Sequence, residues 1–475
     1  MHIDTDPSAP FSGPSKKAVP IRAMTDAGLK AILADLSATQ RGWIETTGFE
    51  AKAGTHCMVP GDDGRLAMVL FGTGKAPKED TGANTPTFDP FEMAGLPCKL
   101  PAGLYSIEGV AAADAQLAWG LGAYSYERYK TSAGPKTKDA KTARLAVKVS
   151  SDTTVTLEGV YLARDLINTP ANDLGPTQLE AAFRKLGRTH KAKVTVTKGD
   201  GVLIKQFPMV HAVGRASADA PRVLDLVWGN AKHPKITLVG KGVTFDTGGL
   251  NIKPGGSMSL MKKDMGGAAN VMGLAHMIMA AHLPVRLRLI VGAVENAIAG
   301  NAFRPGDILQ TRKGITVEIG NTDAEGRLVL GDCLTFADEE KPELLLDMAT
   351  LTGAARVALG PDLPPFYSGD DTFSAELASA GNAVHDPLWR MPLWQPYQKM
   401  LASKIADVNH ISTGGFAGSI TAALFLSRFV ENAKAWAHFD IFGWVPSDKP
   451  WAKTGGEAQA IRALFAVLKD RYPSA

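Results

Sequence analysis

Two segments of the chain carry charged residues directly after stretches apolar enough to be buried. One is the strand-like run ITLVGKGVTFD, which leads into a glycine-rich loop, and the other is ITVEIG, which leads into NTDAEGRL at residues 321–328. In open α/β sheets ligands collect at the carboxyl ends of strands, so we expect both segments to contribute to one site. Their candidate residues are Lys241, Asp246, Lys253, Asp264, Asp323, Glu325 and Arg327.

Four of these residues are carboxylates, and this number is itself informative. Carboxylates that share a partly dry cleft repel one another strongly unless cations bind between them. Two divalent ions about 3.5–4 Å apart, bridged by shared carboxylates, are a recurring solution in hydrolases. Asp323 and Glu325 are two residues apart, so a turn or an extended backbone can direct both at one pair of ions. Oxygen donors suit Mg²⁺ or Mn²⁺ and tolerate Zn²⁺.

Other kinds of site fit these residues less well. His276 and His282 lie six residues apart on an apolar helix, a spacing more typical of core or surface residues than of zinc ligands. The glycine-rich loop does not end in GK[ST], and Phe245 stands where a dinucleotide-binding loop has its third glycine. We interpret its glycines as allowing the backbone to approach metals closely. For this loop alone, a tight turn with solvated charges is an alternative, and the carboxylate count also permits a two-metal phosphoesterase.

The elements that must position these residues begin near residue 150. From there, apolar runs without period-2 alternation, such as KITLVGKG, VRLRLIVGAV and ELLLDMATL, alternate with helical stretches such as GAANVMGLAHMIMAAH. Strands that are apolar on both faces lie in the middle of a sheet covered by helices. The pattern predicts an α/β fold whose larger C-terminal domain has a central mixed, largely parallel sheet covered by helices.

The N-terminal third differs from the rest of the chain in composition and in the elements that it predicts. Residues 1–22 are rich in Pro, Ser and Lys, which predicts a flexible lead-in. Residues 23–150 predict a smaller α/β domain, with a hairpin at GDDG between two apolar runs and a helix over 113–129. Residues 151–475 are predicted to form the catalytic domain.

Charge and cysteine content limit the function classes. Fifty-one basic and 48 acidic residues give a net charge of +3, so bulk charge does not favour a nucleic-acid partner. The basic run over residues 130–148 is interpreted as a solvated connector. Cys57, Cys98 and Cys333 have no paired spacing, which favours a reducing compartment. The N-terminus has no apolar signal core and no stretch is long enough to span a membrane, so we expect a cytoplasmic protein.

Several segments resemble the leucyl aminopeptidase (cytosol aminopeptidase) family. NTDAEGRL looks like the family's signature octapeptide, and VGKGVTFDTGGLNIKP followed by MKKDMGGAA looks like its other metal-binding stretch, in the same order and spacing. NTPANDLGP (168–176) and WAHFDIFG (436–443) are similar to further family segments. The resemblance covers about residues 155 to 445 and rests on two long, separate motifs.

The resemblance implies an activity and residue roles. The family releases N-terminal amino acids, with leucine-like residues preferred, by water activated at two divalent ions (Mn or Zn, with Mg or Co possible). Asp246 and Glu325 would contact both ions, and Lys253 and Arg327 would be catalytic, with Arg327 holding a bicarbonate ion as general base. The implied metal ligands are Lys241, Asp246, Asp264, Asp323 and Glu325, and the implied pocket residues for the substrate's first side chain are Met261, Thr350 and Gly353.

The resemblance also implies a homohexamer built from two trimers and peptides as substrates. Two alternatives from other classes are an additional DNA-binding or regulatory role on the same scaffold and a metal-binding pseudoenzyme. The family positions for metal ligands and catalytic residues are all occupied by competent side chains, which disfavours the pseudoenzyme, and the lysine ligand and octapeptide disfavour the phosphoesterase.

The chain departs from the family pattern at three places. Thr247 stands where the family usually has Ser, which keeps the hydroxyl. Lys263 replaces a commonly uncharged residue beside Asp264, and GGEAQAIRAL (455–464) replaces a glycine-rich run near the C-terminus. The altered 455–464 segment bears on the side-chain preference and on the far wall of the pocket. The first 150 residues show no motif that we can match.

Overall fold

The computed structural model of the chain describes residues 6–75, 89–131 and 142–473. Contacts within the chain divide it into two compact units. The smaller comprises residues up to 157 together with 447–454, and the larger comprises 158–446 and the chain from 455 onward. The division falls inside the helix Ser151–Asn168, close to the boundary expected at residue 150.

The smaller unit is built on a six-stranded sheet. Its strands are β1 (Phe11–Ser12), β2 (Val19–Met24), β3 (His56–Pro60), β4 (Leu66–Gly72), β5 (Gly103–Glu108) and β6 (Ala143–Ala146). Its helices are α1 (Asp26–Ile32), α2 (Ala38–Thr46), α3 (Leu96–Lys99) and α4 (Ala112–Ala123), with 3₁₀ turns at Leu33–Asp35 and Pro90–Gly95. The strand order is β1-β6-β5-β2-β4-β3. Only β3 and β4 pair antiparallel, and this pair is the hairpin predicted at GDDG.

The prediction of a flexible lead-in is wrong for residues 6–22. Phe11 lies opposite Leu145 in the parallel pairing of β1 with β6, and β2 lies inside the sheet between β4 and β5. The indole nitrogen of Trp119 donates to the carbonyl of Pro10 at 3.1 Å. The partners of Phe11 and Pro10 lie more than a hundred residues along the chain, so local composition gave no sign of them.

Two other predictions for this unit concern the helix α4 and the basic run at 130–148. Helix α4 is shorter than the helix predicted over 113–129, because Tyr124 already has an extended backbone. Most of the basic run at 130–148 lies outside the described residues, and within the described part Lys130 pairs with Glu127.

The larger unit alternates helices with strands. Its helices are α5 (Ser151–Asn168), α6 (Pro176–Thr189), α7 (Asp200–Gln206), α8 (Pro208–Gly214), α9 (Gly255–Met258), α10 (Gly266–Ala280), α11 (Gly326–Asp338), α12 (Gly353–Leu359), α13 (Asp371–Ala383), α14 (Gly418–Ser427) and α15 (Ile461–Arg471). Its main-sheet strands are β7 (Lys193–Lys198), β8 (Arg222–Trp228), β9 (Lys235–Asp246), β10 (Arg286–Asn296), β13 (Leu344–Ala349), β14 (Pro365–Ser368), β15 (Trp389–Met391) and β17 (Ala435–Asp440). Short strands are β11 (Ile308–Gln310), β12 (Thr316–Glu318), β16 (Val408–Asn409), β18 (Trp444–Val445) and β19 (Gly455–Gly456), and 3₁₀ turns lie at Met261–Met265, Thr322–Ala324 and Gln395–Leu401.

The eight-stranded sheet has the order β15-β14-β17-β13-β9-β10-β8-β7. Strands β17, β13, β9 and β10 are mutually parallel, whereas β7, β8 and the β14–β17 pair add antiparallel contacts. The α/β fold with a mixed, largely parallel central sheet is therefore confirmed. Strand β9 is buried along nearly its whole length, as expected for a central strand covered on both faces.

Helices α10 and α11 cover the sheet beside the charged segments. Helix α10 is apolar on all sides and almost completely buried. It starts directly against β13, because a Cβ at Gly267 would overlap the carbonyl of Met348. This close approach places the 3₁₀ turn Met261–Met265 next to the ends of β9 and β13. No helix within the described ranges is long and apolar enough to cross a membrane.

A buried ion pair ties α5 to the segment around β19. Arg164 donates from Nε and Nη2 to the two oxygens of Glu457 at 3.1 and 3.0 Å, and both side chains are at least nine-tenths buried. Removal of one partner from such a pair costs about 3–5 kcal/mol. Glu457→Ala is therefore expected to lower the free energy of unfolding by about that amount in denaturant titration.

The exposed pair of Arg471 with Glu376 provides the control for this variant. Glu376→Ala is expected to cost less than about 1 kcal/mol, since exposed pairs contribute little. Equal losses in Glu457→Ala and Glu376→Ala would show that the buried pair has no special role in stability.

Candidate metal centre

Three local structures bring the acidic residues of the two segments together. Asp246 is the last residue of β9, Asp264 lies in the 3₁₀ turn before α10, and Asp323 lies in the 3₁₀ turn before α11. Glu325 follows that turn and immediately precedes α11. Asp246, Asp323 and Glu325 each offer an oxygen atom within 4.8 Å of the others. The carboxyl end of the central strand therefore holds an acidic cluster, as the sequence pattern predicts.

Two lysines connect all four carboxylates. The Lys241 amine, which is buried on β9, lies 2.8 Å from Asp264 Oδ2 and 2.9 Å from Glu325 Oε1. The Lys253 amine lies 2.9 Å from Asp246 Oδ2 and 2.5 Å from Asp323 Oδ1. Asp264 is not one of the three residues whose oxygen atoms lie within 4.8 Å of one another. The Lys241 amine connects it to them, because this amine contacts both Asp264 and Glu325.

One glycine makes room for this arrangement. A Cβ at Gly326 would lie 2.5 Å from Cε of Lys241. The NTDAEGRL segment therefore requires a residue without a side chain here, so that α11 can begin against the lysine.

Within the described residues, three buried carboxylate oxygens of the cluster make no contact that has hydrogen-bond geometry. They are Asp264 Oδ2, Asp323 Oδ1 and Glu325 Oε1. All three are close to a lysine nitrogen, but these short contacts lack hydrogen-bond geometry. Buried acceptors without hydrogen bonds are rare and costly in native proteins. The same atoms are the donors that divalent cations prefer, so the residues present fit a metal centre.

In Asp246 and Asp264, the carboxylate oxygen that does not face a lysine is held by hydrogen bonds from the protein. Asp246 Oδ1 accepts from the Gly248 N–H and from the Asn296 side-chain amide, both at 2.8 Å. Asp264 Oδ1 accepts from the Thr350 hydroxyl at 2.8 Å. Each of these carboxylates thus has one oxygen held by hydrogen bonds and one oxygen directed at the lysines. Such supporting hydrogen bonds orient metal ligands.

The electrostatics indicate an excess of negative charge. Burial, followed by the charge of Asp264, raises the pKa of Asp246 above its usual value. Burial, followed by the charge of Asp246, raises the pKa of Glu325 well above its usual value. Burial alone would lower the pKa of Lys241, but the carboxylates of Asp264 and Glu325 outweigh it and raise that pKa. Further positive charge would therefore stabilise the ionised carboxylates.

Arg327 lies in the first turn of α11 and is buried. Its Nη1 donates to the carbonyl of His410 at 2.8 Å, while its Nε has no hydrogen-bond partner within the described residues. Burial lowers the pKa of Arg327 to about 10, so the side chain remains a cation at neutral pH. Part of the guanidinium therefore has donor capacity for an anion.

The three predicted pocket residues lie near the cluster in different ways. Thr350 contacts it directly, because its hydroxyl binds Asp264 and its carbonyl accepts from the Lys241 amine at 3.0 Å. Met261 begins the 3₁₀ turn that carries Asp264, and Gly353 begins α12 after β13. Their predicted role in binding the substrate's first side chain stays a prediction.

Sequence reasoning missed three residues that support the site. Asn296 lies opposite Asp246 in the β9–β10 pairing, His410 contacts Arg327, and Asp440 at the end of β17 accepts from the N–H groups of Leu351 and Thr352. The position of Asn296 and Asp440 at strand ends was the available signal. His276 lies outside the cluster and contacts His190 at 3.0 Å.

Comparison with known proteins identifies the family. Residues 161–465 match the catalytic domain of the cytosol aminopeptidase family, and residues 19–142 match the N-terminal domain of the M17 aminopeptidases. The chain is 41% identical over 365 residues to a probable cytosol aminopeptidase of Roseiflexus castenholzii, covering 74% of each chain. It is also 41% identical over 390 residues to one from Sinorhizobium medicae, covering 78% of this chain and 77% of the relative.

Solved structures agree with this assignment. The cytosol aminopeptidase of Coxiella burnetii superposes with a TM-score of 0.89 at 44% identity, covering 97% of this chain and 99% of that one. The bottromycin maturation enzyme BotP in complex with Mn superposes with a TM-score of 0.83 at 31% identity, covering 95% and 99%. With both of its domains matched and the acidic cluster at the expected motifs, this chain belongs to the cytosol aminopeptidase family.

Proposed function

We propose that the chain is a two-metal aminopeptidase that releases N-terminal residues, leucine-like ones among them, from peptides. The observation that carries the proposal is the convergence of four carboxylates and two lysines. Three of the carboxylate oxygens are buried and have no hydrogen bond within the described part of the chain. The family assignment supports the peptidase activity, and the BotP complex with Mn is a relative with a metal.

The proposed metal ligands are the residues of the cluster other than Lys253: Lys241, Asp246, Asp264, Asp323 and Glu325. When bound, two divalent ions (Mn²⁺ or Zn²⁺, with Mg²⁺ or Co²⁺ as alternatives) supply Lewis acidity that lowers the pKa of a water and polarises the scissile carbonyl. Lys241 serves as a ligand in its neutral form, and the charge of adjacent dications favours the loss of its proton.

Lys253 and Arg327 have separate proposed roles. The Lys253 amine lies within ion-pair distance of both Asp246 and Asp323, so its charge is available to stabilise the oxyanion that forms on the substrate. The Nε of Arg327 has no hydrogen-bond partner among the residues that the structure describes, which suits the guanidinium to a planar anion such as bicarbonate. A bicarbonate ion held there is the proposed general base, because a guanidinium is too basic for that role.

A blocked substrate tests the exopeptidase mechanism. We expect leucine p-nitroanilide to be hydrolysed by metal-stripped protein after addition of Mn²⁺, Zn²⁺, Mg²⁺ or Co²⁺, to different extents. N-acetyl-leucine p-nitroanilide is expected to be inert, because the free α-amine is needed for binding. Efficient hydrolysis of the acetylated compound would assign the protein to another class of peptidase.

The resemblance also supports two statements about the whole protein. We propose a homohexamer made of two trimers and a location in the cytoplasm, since the relatives are named cytosol aminopeptidases. Light scattering coupled to size-exclusion chromatography tests the assembly, and a monomeric mass would contradict it. The alternative of an added DNA-binding role has no supporting feature in the described ranges or the comparisons.

A further inference from the structure

Two cationic side chains share one aromatic ring beside the metal centre. The Lys263 amine lies 4.9 Å from the centre of the Phe442 ring, and the Arg356 guanidinium carbon lies 4.7 Å from it. Lys263 is 98% buried, since its exposed fraction is 2%. Over the described ranges, neither cationic side chain has a hydrogen bond or an ion pair. Two basic side chains that contact one ring, neither in an ion pair over the described ranges, form a site suited to an anion.

The charges of Asp264 and Asp440 act on Lys263, but within the described residues neither carboxylate forms an ion pair with Lys263 or Arg356. The Lys262 amine, on the preceding residue, donates instead to the carbonyl of Asn168 at 2.8 Å. Asp264 has Oδ1 bound to Thr350 and Oδ2 beside Lys241. The oxygens of Asp440 accept from the Leu351 and Thr352 N–H groups and from the hydroxyls of Thr352 and Ser419. Both carboxylates therefore keep their charge, but their oxygens bind or pair with groups other than Lys263 and Arg356.

The cation pair lies among the residues proposed to line the pocket for the substrate's first side chain. Lys263 follows Met261 by two residues in the same 3₁₀ turn. Arg356 lies in α12, which begins at Gly353, and its Nη2 is 3.6 Å from the place that a Cβ at Gly353 would occupy. A side chain at Gly353 would therefore lie in contact with the guanidinium.

The chain segment of the Phe442 ring that both side chains contact is held by the C-terminal segment that departs from the family pattern. The backbone N–H groups of Phe442 and Gly443 both donate to Gln459 Oε1 at 2.9 Å. The side-chain amide nitrogen Nε2 of Gln459 in turn donates to the carbonyl of Pro361 at 2.8 Å. Two departures, Lys263 and the 455–464 segment, therefore act on one local structure.

We propose that Lys263 and Arg356 form an anion-recognising wall of the first-side-chain pocket, which gives the enzyme activity toward peptides that begin with glutamate or aspartate. The inference rests on the proposed function and specifies its substrate class. Arg356 provides a planar fork that matches a carboxylate, and the Lys263 amine donates hydrogen bonds whether or not it is protonated. The ring holds the cations by its face, so their N–H groups remain available.

A pair of isosteric substrates isolates the charge effect. Glutamate and glutamine p-nitroanilides have nearly the same shape, and the ratio of their kcat/KM values cancels general losses of activity. We expect the ratio to exceed one in the metal-loaded enzyme. We expect it to fall about tenfold in Arg356→Gln and in Lys263→Met, since a charge pair in a partly buried site contributes at least that much. Arg356→Lys keeps the charge but loses the planar fork, so it is expected to lower the ratio less than Arg356→Gln does.

Arg188→Gln is the matched control, because it removes an exposed arginine from α6. Its glutamate-to-glutamine ratio is expected to equal that of the unaltered enzyme. If Arg356→Gln fails to fold, the inference is tested by Lys263→Met. It is also tested by the unaltered enzyme, in which the glutamate-to-glutamine ratio should fall as the salt concentration rises. A ratio at or below one, or one that neither variant lowers, overturns the inference. Failure to hydrolyse leucine p-nitroanilide with any of the metals would instead overturn the proposed function.

Discussion

Asp323→Ala is expected to abolish metal binding and peptidase activity together. Asp323 contributes an oxygen to the trio with Asp246 and Glu325, and that oxygen is sealed without a hydrogen bond. Loss of this ligand removes one negative charge from the proposed two-metal site. We expect kcat/KM for leucine p-nitroanilide to fall roughly a thousandfold or more, since metal ions supply several kcal/mol of transition-state stabilisation. Elemental analysis after dialysis measures the metal content of the same samples.

The matched control for this variant is Asp371→Ala. Asp371 is an exposed carboxylate that pairs with Arg390, and its side chain is 89% exposed. Removal of this carboxylate is expected to leave both metal content and kcat/KM unchanged. Near-normal turnover in Asp323→Ala, or full metal content without activity, would contradict the role assigned to Asp323 as a ligand.

Lys253→Met is expected to separate catalysis from metal binding. The substitution keeps the length of the side chain and removes its charge, which lies beside Asp246 and Asp323. Divalent ions neutralise those carboxylates without help from the lysine, so metal content should persist. The oxyanion loses a charged donor, and we expect kcat to fall about 10²–10³-fold with a smaller change in KM.

Lys232→Met, at an exposed turn position, controls for the loss of one positive charge. It is expected to change neither kcat nor metal content. If Lys253→Met lost its metal instead, Lys253 would be a structural counterion of the carboxylates and another group would have to stabilise the oxyanion. An unchanged kcat would exclude a catalytic role for this lysine.

The larger unit could be predicted from sequence because its strands leave a clear pattern. Strands such as β9 and β13 are apolar on both faces, and this pattern is typical of central strands covered by helices. The strands at the edges of the two sheets were harder to predict from the sequence. Strand β1 has only two residues, and its pairing partner Leu145 lies far along the chain from Phe11. No local pattern specifies such a pairing.

The acidic residues of the site could be proposed because each one interrupts an apolar segment with a charge. The residues that orient them could not. Asn296 binds Asp246 only because β10 runs parallel to β9 in one particular register, and Thr350 binds Asp264 only because α10 packs against the end of β13. These contacts are products of the fold and leave no local signal. The sequence showed that Lys263 departs from the family pattern, but it did not show that the Lys263 amine lies over the Phe442 ring.

Anomalous scattering from crystals grown with Mn²⁺ tests the two-metal site most directly. We predict two peaks within about 4 Å of each other. Asp246 and Glu325 should contact both, and the Lys241 amine should contact one. A single peak, or manganese bound elsewhere while the lysines keep their ion pairs with the carboxylates, would contradict a catalytic centre of two metals in this protein.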